Sequence, residues 1–176
     1  MPSLYDLAAR LQAFAAGELT REALDAWVLP VLAADPLDVE HQDELPWEDE
    51  PDEERLFWRL LYLVESSEPT DEGEAALRAV AGRTVACLGS TASPADTLEL
   101  LPLVIDQARL CTIVERHAQG VISRTGFLSV LANAGYPAHA KLWLTHADGA
   151  ALTRLCERLT AGDYAHVARM LERAPA

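Results

Sequence analysis

The chain reads as an all-α protein, a compact bundle of about eight to ten short helices. Three features point there. Apolar residues return at i, i+3, i+4 and i+7 along nearly every segment, glycine corners punctuate that pattern three times, and no apolar run has a partner joined by hairpin turn chemistry. The expected organisation is one all-helical domain over residues 1–176, with a weak joint near 90–95 and an acidic loop over 35–54.

Leu4, Leu7, Ala8 and Leu11 make the first apolar stripe, and Ser3 with Asp6 puts a capping oxygen ahead of a first turn that carries an acid. Leu24, Trp27, Val28 and Val31 make the second. Pro30 falls inside it and should kink or split the helix, because proline has no N–H and crowds the preceding turn. Arg55 to Val64 is apolar almost all round, with Phe57, Leu60, Leu61 and Val64 in helical register and two arginines, Arg55 and Arg59, its only charges. Such a helix belongs in the middle of a bundle. Arg83 to Leu88 and Leu110 to Val114 resemble short strands in isolation, but without partners both are read as helix.

Ser93-Pro94 with Asp96 opens another helix, which Pro102 should kink or split in two. Residues 122–136 and 137–144 read as two antiparallel helices packed through Phe127, Leu131, Leu142 and Leu144. The turn between them is Gly135-Tyr136-Pro137, with Pro137 suited to a first helical position. Phe127, Val130, Leu131 and Ala134 form the stripe of the first of these helices. Leu152, Leu155, Cys156 and Leu159, then Tyr164, Val167, Ala168 and Leu171, supply the last two stripes. The glycine corners are Phe14–Leu19, His117–Ile122 and Leu159–Tyr164; in each a helix should stop at the glycine, which lacks the Cβ that disfavours a left-handed residue. Their spacing is unequal, so they read as recurring helix–turn–helix corners and are no evidence of a solenoid, which would show a fixed period.

Compartment follows from what the chain contains. No run reaches the ~18 apolar residues of a membrane span, and Asp6 interrupts what would have to be the apolar run of a secretory signal. Cys87, Cys111 and Cys156 are an odd, widely spaced set inside apolar stripes, as buried thiols of a reducing compartment would be. The expected location is cytoplasmic.

Charge is the least ordinary feature. The formal net charge is −14, from 28 acids against 14 Lys and Arg. Residues 1–100 hold 22 acids and six basic residues, whereas 101–176 hold six acids and eight basic residues. Between 43 and 54 there are eight acids, two prolines and Trp47 in twelve residues. Pro46 and Pro51 forbid one continuous helix, so an exposed loop is expected, leading into a helix that starts near Asp52. Acids in that first turn are favourable for the helix itself.

A solvated loop that aids solubility accounts for such a run. A docking surface for a basic protein accounts for it too: crowded carboxylates repel in the free protein, and a cationic partner relieves that repulsion while accelerating association. Trp47, if not folded onto the core, would be an anchor. The candidate partner-binding residues are therefore Asp43, Glu44, Trp47, Glu48, Asp49, Glu50, Asp52, Glu53 and Glu54. In size, helical make-up and lopsided negative charge the chain resembles immunity proteins that neutralise basic toxins such as nucleases. The likeness is one of general character, carried by no motif, and it implies acids near Trp47 occupying a groove that normally meets phosphates.

Other chemistries find little. There is no nucleophile elbow, P-loop, dinucleotide glycine motif or His-Glu-x-x-His helix. His139 and His146 fall about 10 Å apart along one helix, too far to share a metal. Asp38 with His41 and Asp163 with His166 begin a ligand set that nothing completes, so no metal, no cofactor and no enzyme activity are expected. His117, near a helix C-terminus, should meet free carbonyls. Arg116, Arg124 and Lys141 are too thin a basic set for a DNA-reading pair of helices, so no nucleic-acid partner is expected. The alternative reading is a helical adapter or oligomerisation module that binds through an apolar groove lined by Trp58, Tyr62 or Trp143, which would leave the acidic loop a solubility device.

Overall fold

The computed structural model describes residues 2–34 and 50–173. These form ten α-helices, and no strand occurs among the described residues. In chain order they are α1 (Leu4–Ala16), α2 (Arg21–Ala33), α3 (Asp52–Glu65), α4 (Asp71–Ser90), α5 (Pro94–Ile105), α6 (Gln107–Ala118), α7 (Arg124–Asn133), α8 (Ala138–His146), α9 (Gly149–Thr160) and α10 (Tyr164–Leu171). The chain divides into two compact units, Met1–Val85 and Ala86–Ala176, and the division falls within α4.

In the first unit α3 takes the central place, with α1 and α2 both packed on it. Its near-continuous apolar surface explains this: Leu56, Phe57, Trp58, Leu60, Leu61 and Val64 are all buried, each worth about 1.5–3 kcal/mol of burial. Leu4, Leu7, Ala8, Leu11 and Phe14 face them from α1, and Leu24 and Val28 from α2. Ser3 and Asp6 form a reciprocal capping box. Ser3 Oγ accepts the Asp6 N–H at 3.2 Å, and the Asp6 carboxylate accepts the Ser3 N–H at 2.9 Å. That backbone donor holds the Asp6 carboxyl below its ordinary range.

The second unit is built on α6 against α9, with α10 packed on α9, α5 and α8, and α7 on α6 and α8. Phe127, Leu131, Trp143, Leu144, Leu155, Leu159, Tyr164 and Val167 lie in its continuous core. Both segments that could have passed for strands are helical, inside α4 and α6.

All three glycine corners are helix stops of one kind. Gly17, Gly120 and Gly162 have φ of 79°, 73° and 72°. In each, the residue after the glycine donates to a carbonyl five residues back: Glu18 to Ala13 at 2.8 Å, Val121 to Arg116 at 2.9 Å and Asp163 to Arg158 at 3.0 Å. Each glycine N–H closes the inner bond, to Phe14, His117 and Leu159, completing the Schellman pattern.

Four local expectations are adjusted. Neither proline splits its helix: α2 runs through Pro30 to Ala33 and α5 through Pro102 to Ile105, each ending within one further turn. The break after Pro102 comes at Asp106, which separates α5 from α6. Leu142 does not pack between α7 and α8; it is 62% exposed, because the inward face of α8 runs through Ala140, Trp143, Leu144 and on to Ala147. Pro137 occupies the N-cap of α8, one position before the first helical residue.

Candidate functional site

The charge asymmetry follows the two units. Unit 1 carries 20 of the 28 acids and six of the 14 Lys and Arg, whereas unit 2 carries eight of each sign and is formally neutral. The described part of the acidic segment, residues 50–74, contains nine acids against Arg55 and Arg59.

Helix α3 sets these acids in two groups. At its start stand Glu50, Asp52, Glu53 and Glu54, the first three exposed and Glu54 half-buried. Pro51 is the N-cap there and offers no side-chain acceptor, and the adjacent carboxylates favour the positive end of the helix dipole. Beyond its end stand Glu65 and Glu68, followed by Asp71, Glu72 and Glu74 at the start of α4. The fourteen residues of α3 separate the two groups by about 20 Å. The run that is continuous in sequence is thus two carboxylate clusters at opposite ends of one buried helix.

Two of the nine are tied to arginines of their own helices. Asp52 Oδ1 lies 3.1 Å from Arg55 Nη1, and Glu74 Oε1 lies 2.6 Å from Arg78 Nη2. Arg78 also donates to the Phe14 carbonyl and lies over the Phe14 ring, 4.3 Å from its centroid. Glu53, Glu65, Glu68, Asp71 and Glu72 are exposed. Chemically such clusters can receive ammonium or guanidinium groups. Of the candidate partner-binding residues, Asp43, Glu44, Trp47, Glu48 and Asp49 lie outside the described residues, as do Asp38 and His41, whereas Glu50, Asp52, Glu53 and Glu54 stand together at the α3 N-terminus.

Three of the four described histidines have side-chain partners. His117 Nδ1 donates to the Ile122 carbonyl at 3.0 Å, and its ring stacks on Phe127 with centroids 4.7 Å apart. It meets a carbonyl as expected, but one beyond the helix end, which locks the α6–α7 corner. His146 Nδ1 faces the Leu142 carbonyl at 2.8 Å, and His139 Nδ1 lies 3.3 Å from Glu99 Oε2. Asp163 pairs with Arg158 at 3.0 Å. Among the described residues no three His, Cys, Asp or Glu side chains converge to hold a metal ion. No described helix is long and apolar enough to cross a membrane.

Of the three aromatics that could have lined an apolar groove, Trp58 and Trp143 are core residues, 8% and 5% exposed, whereas Tyr62 is half-buried. Three pairings had no local signal in the sequence: Asp106 with Tyr136, Glu99 with His139, and Cys111 with Cys156. Each joins residues 30 or more positions apart, and only the order in which the helices pack brings them together. Compared with known proteins, the chain matches no family model, no curated protein sequence and no solved structure.

Proposed function

We propose that this chain is a non-enzymatic protein-binding module that engages a basic partner protein through the carboxylates of its first unit. The observation that carries the reading is the concentration of all the net charge in that unit, with exposed acids at both ends of α3. A partner with cationic groups at matching separation would neutralise both clusters at once, gaining encounter rate and rejecting anionic competitors. Within this class, a cytoplasmic immunity or antitoxin-type role fits the charge best. The phosphate-binding groove of a nuclease toxin is the kind of surface that rows of carboxylates would fill. The supporting points are the acidic excess of unit 1 and three cysteines suited to a reducing compartment.

The test is a paired measurement on a partner captured at low ionic strength and then purified. Its affinity for this chain should fall steeply as salt rises, because exposed charges are screened beyond a Debye length of about 10 Å at 0.1 M. Replacing Glu65 and Glu68, the exposed acids at the C-terminal end of α3, by lysine should weaken capture while leaving the melting temperature within a few degrees. Affinity that stays flat with salt, or survives charge reversal, overturns the reading.

A further inference from the structure

We propose that Cys111 and Cys156 are a reversible dithiol–disulfide pair, oxidised by hydrogen peroxide, whose bond staples α6 to α9. This goes beyond the acidic-surface reading and does not depend on it. The two residues lie 45 positions apart, on the two helices that pack together at the centre of unit 2. Cys111 Sγ sits 4.0 Å from the Cys156 carbonyl oxygen, which makes the two residues neighbours where α6 packs on α9. Both side chains are half-buried, within reach of a small oxidant, and both are free thiols. Cys87, by contrast, is fully buried.

The two thiols also perturb one another. The bond from Cys156 holds the Cys111 thiol below its ordinary range despite burial, with Thr160 as a second donor. The same bond, then burial, pushes Cys156 upward. Either thiol can attack peroxide first and be resolved by the other, and both orders end in the same bond; attack by Cys111 proceeds in two steps. In the first step the Cys111 thiolate attacks one peroxide oxygen, the O–O bond breaks, and Cys111 becomes a sulfenic acid while hydroxide leaves and is protonated to water. In the second, Cys156 sulfur attacks the Cys111 sulfur, the S–O bond breaks, and the hydroxyl departs with the Cys156 proton as a second water. Two thiols lose two electrons in total and the peroxide gains them. A dithiol reductant returns both thiols.

The test uses the full chain. After peroxide treatment, remaining thiols are alkylated with N-ethylmaleimide in denaturant and the protein is digested with trypsin. Alkylatable thiols should fall from three to one per chain, the survivor being Cys87. A cross-linked pair, Leu110–Arg116 joined to Leu155–Arg158, should appear and vanish on treatment with dithiothreitol. Cys156→Ser should abolish the cross-link and leave a sulfenic acid at Cys111 that dimedone captures. Cysteines 111 and 156 remaining alkylatable under conditions that oxidise glutathione in the same tube would overturn the proposal. So would a cross-link to Cys87 or between chains. The wild-type mapping needs no variant, so a folding defect in Cys156→Ser cannot decide the outcome.

Discussion

The Tyr136 hydroxyl donates to Asp106 Oδ2 at 2.6 Å, and these are two residues that no helix claims. Asp106 separates α5 from α6, and Tyr136 lies in the connection from α7 to α8, so one short hydrogen bond ties two interhelical joints of unit 2 together. Tyr136 is buried, and burial followed by the Asp106 contact pushes its hydroxyl strongly toward the neutral, donating form. A hydrogen bond to a charged acceptor is worth about 1.5–3 kcal/mol. Tyr136→Phe should destabilise the protein by roughly that amount while leaving helix content unchanged, measured by denaturant unfolding alongside circular dichroism. Asp106→Asn keeps an acceptor and should cost less. Equal stability of Tyr136→Phe and wild type would show that the bond contributes nothing net.

The buried Cys87 thiol gives stability a defined alkaline edge. Burial pushes it from 9.0 up to about 12. The unfolded chain therefore releases this proton first as pH rises through 9, while the folded chain still holds it. Stability from this group is complete below pH 9 and declines between 9 and 12, with a slope of up to ~1.4 kcal/mol per pH unit. Tyr136 adds its own decline at higher pH, so the diagnostic quantity is a difference. Cys87→Ala should lie below wild type at neutral pH by a small cavity cost, and the gap should narrow above pH 9. A constant gap across that range would mean that the thiol titrates alike in both states.

Gly120 offers a clean test of the corner geometry, because a Cβ added there meets nothing within 4 Å. Any loss on Gly120→Ala is then the conformational cost of a left-handed residue, about 1–2 kcal/mol. Gly89 also has open space around its missing Cβ, but it lies within helix α4. Gly89→Ala should shift stability the other way, by roughly 0.5 kcal/mol. Melting temperatures moving in opposite directions would confirm the distinction, and two shifts of the same sign would refute it.

These corners were legible in the sequence for the reason the substitutions test. A Schellman stop is local: it needs a glycine at one position and apolar residues on either side, and Phe14–Leu19, His117–Ile122 and Leu159–Tyr164 all supply them. The central place of α3 was legible too, since a helix apolar on most sides has no rim position to occupy. What stayed hidden depends on angle or on partner. Leu142 lies among apolar residues, but its direction on α8 was set by Ala140, Trp143 and Leu144 facing the core. The acidic run could be counted, yet its partition to the two ends of α3 required knowing where that helix stops. Cys111 and Cys156 gave no hint of each other, because thiols on separate helices meet only through packing.

Arg21 shows how a charged side chain can hold helices together without much help from its charge. Its side chain is 13% exposed, and all three nitrogens of its planar fork donate hydrogen bonds. Nε donates to Asp25 on its own helix at 2.8 Å, Nη2 to the Val64 carbonyl at 3.0 Å, and Nη1 to Ser67 Oγ at 2.6 Å. Val64 stands in the last turn of α3, where carbonyls lack helical partners, so Arg21 on α2 closes the C-terminus of the neighbouring helix. The Asp25 contact is a pair four residues apart on one helix, a class worth about 0.3–0.5 kcal/mol. The contacts to α3 should dominate. Arg21→Lys keeps the charge but cannot present three donors in one plane, so it should lose most of what Arg21→Met loses, about 1.5–3 kcal/mol. Asp25→Asn should lose only a few tenths. The Arg21→Lys loss should also persist at high salt, since hydrogen bonds to a carbonyl are not screened as an exposed ion pair is. Thermal unfolding at low and high ionic strength reads all three variants. If Arg21→Lys unfolds with wild type and only Asp25→Asn is salt-sensitive, the guanidinium acts as a charge, not as the cap of α3.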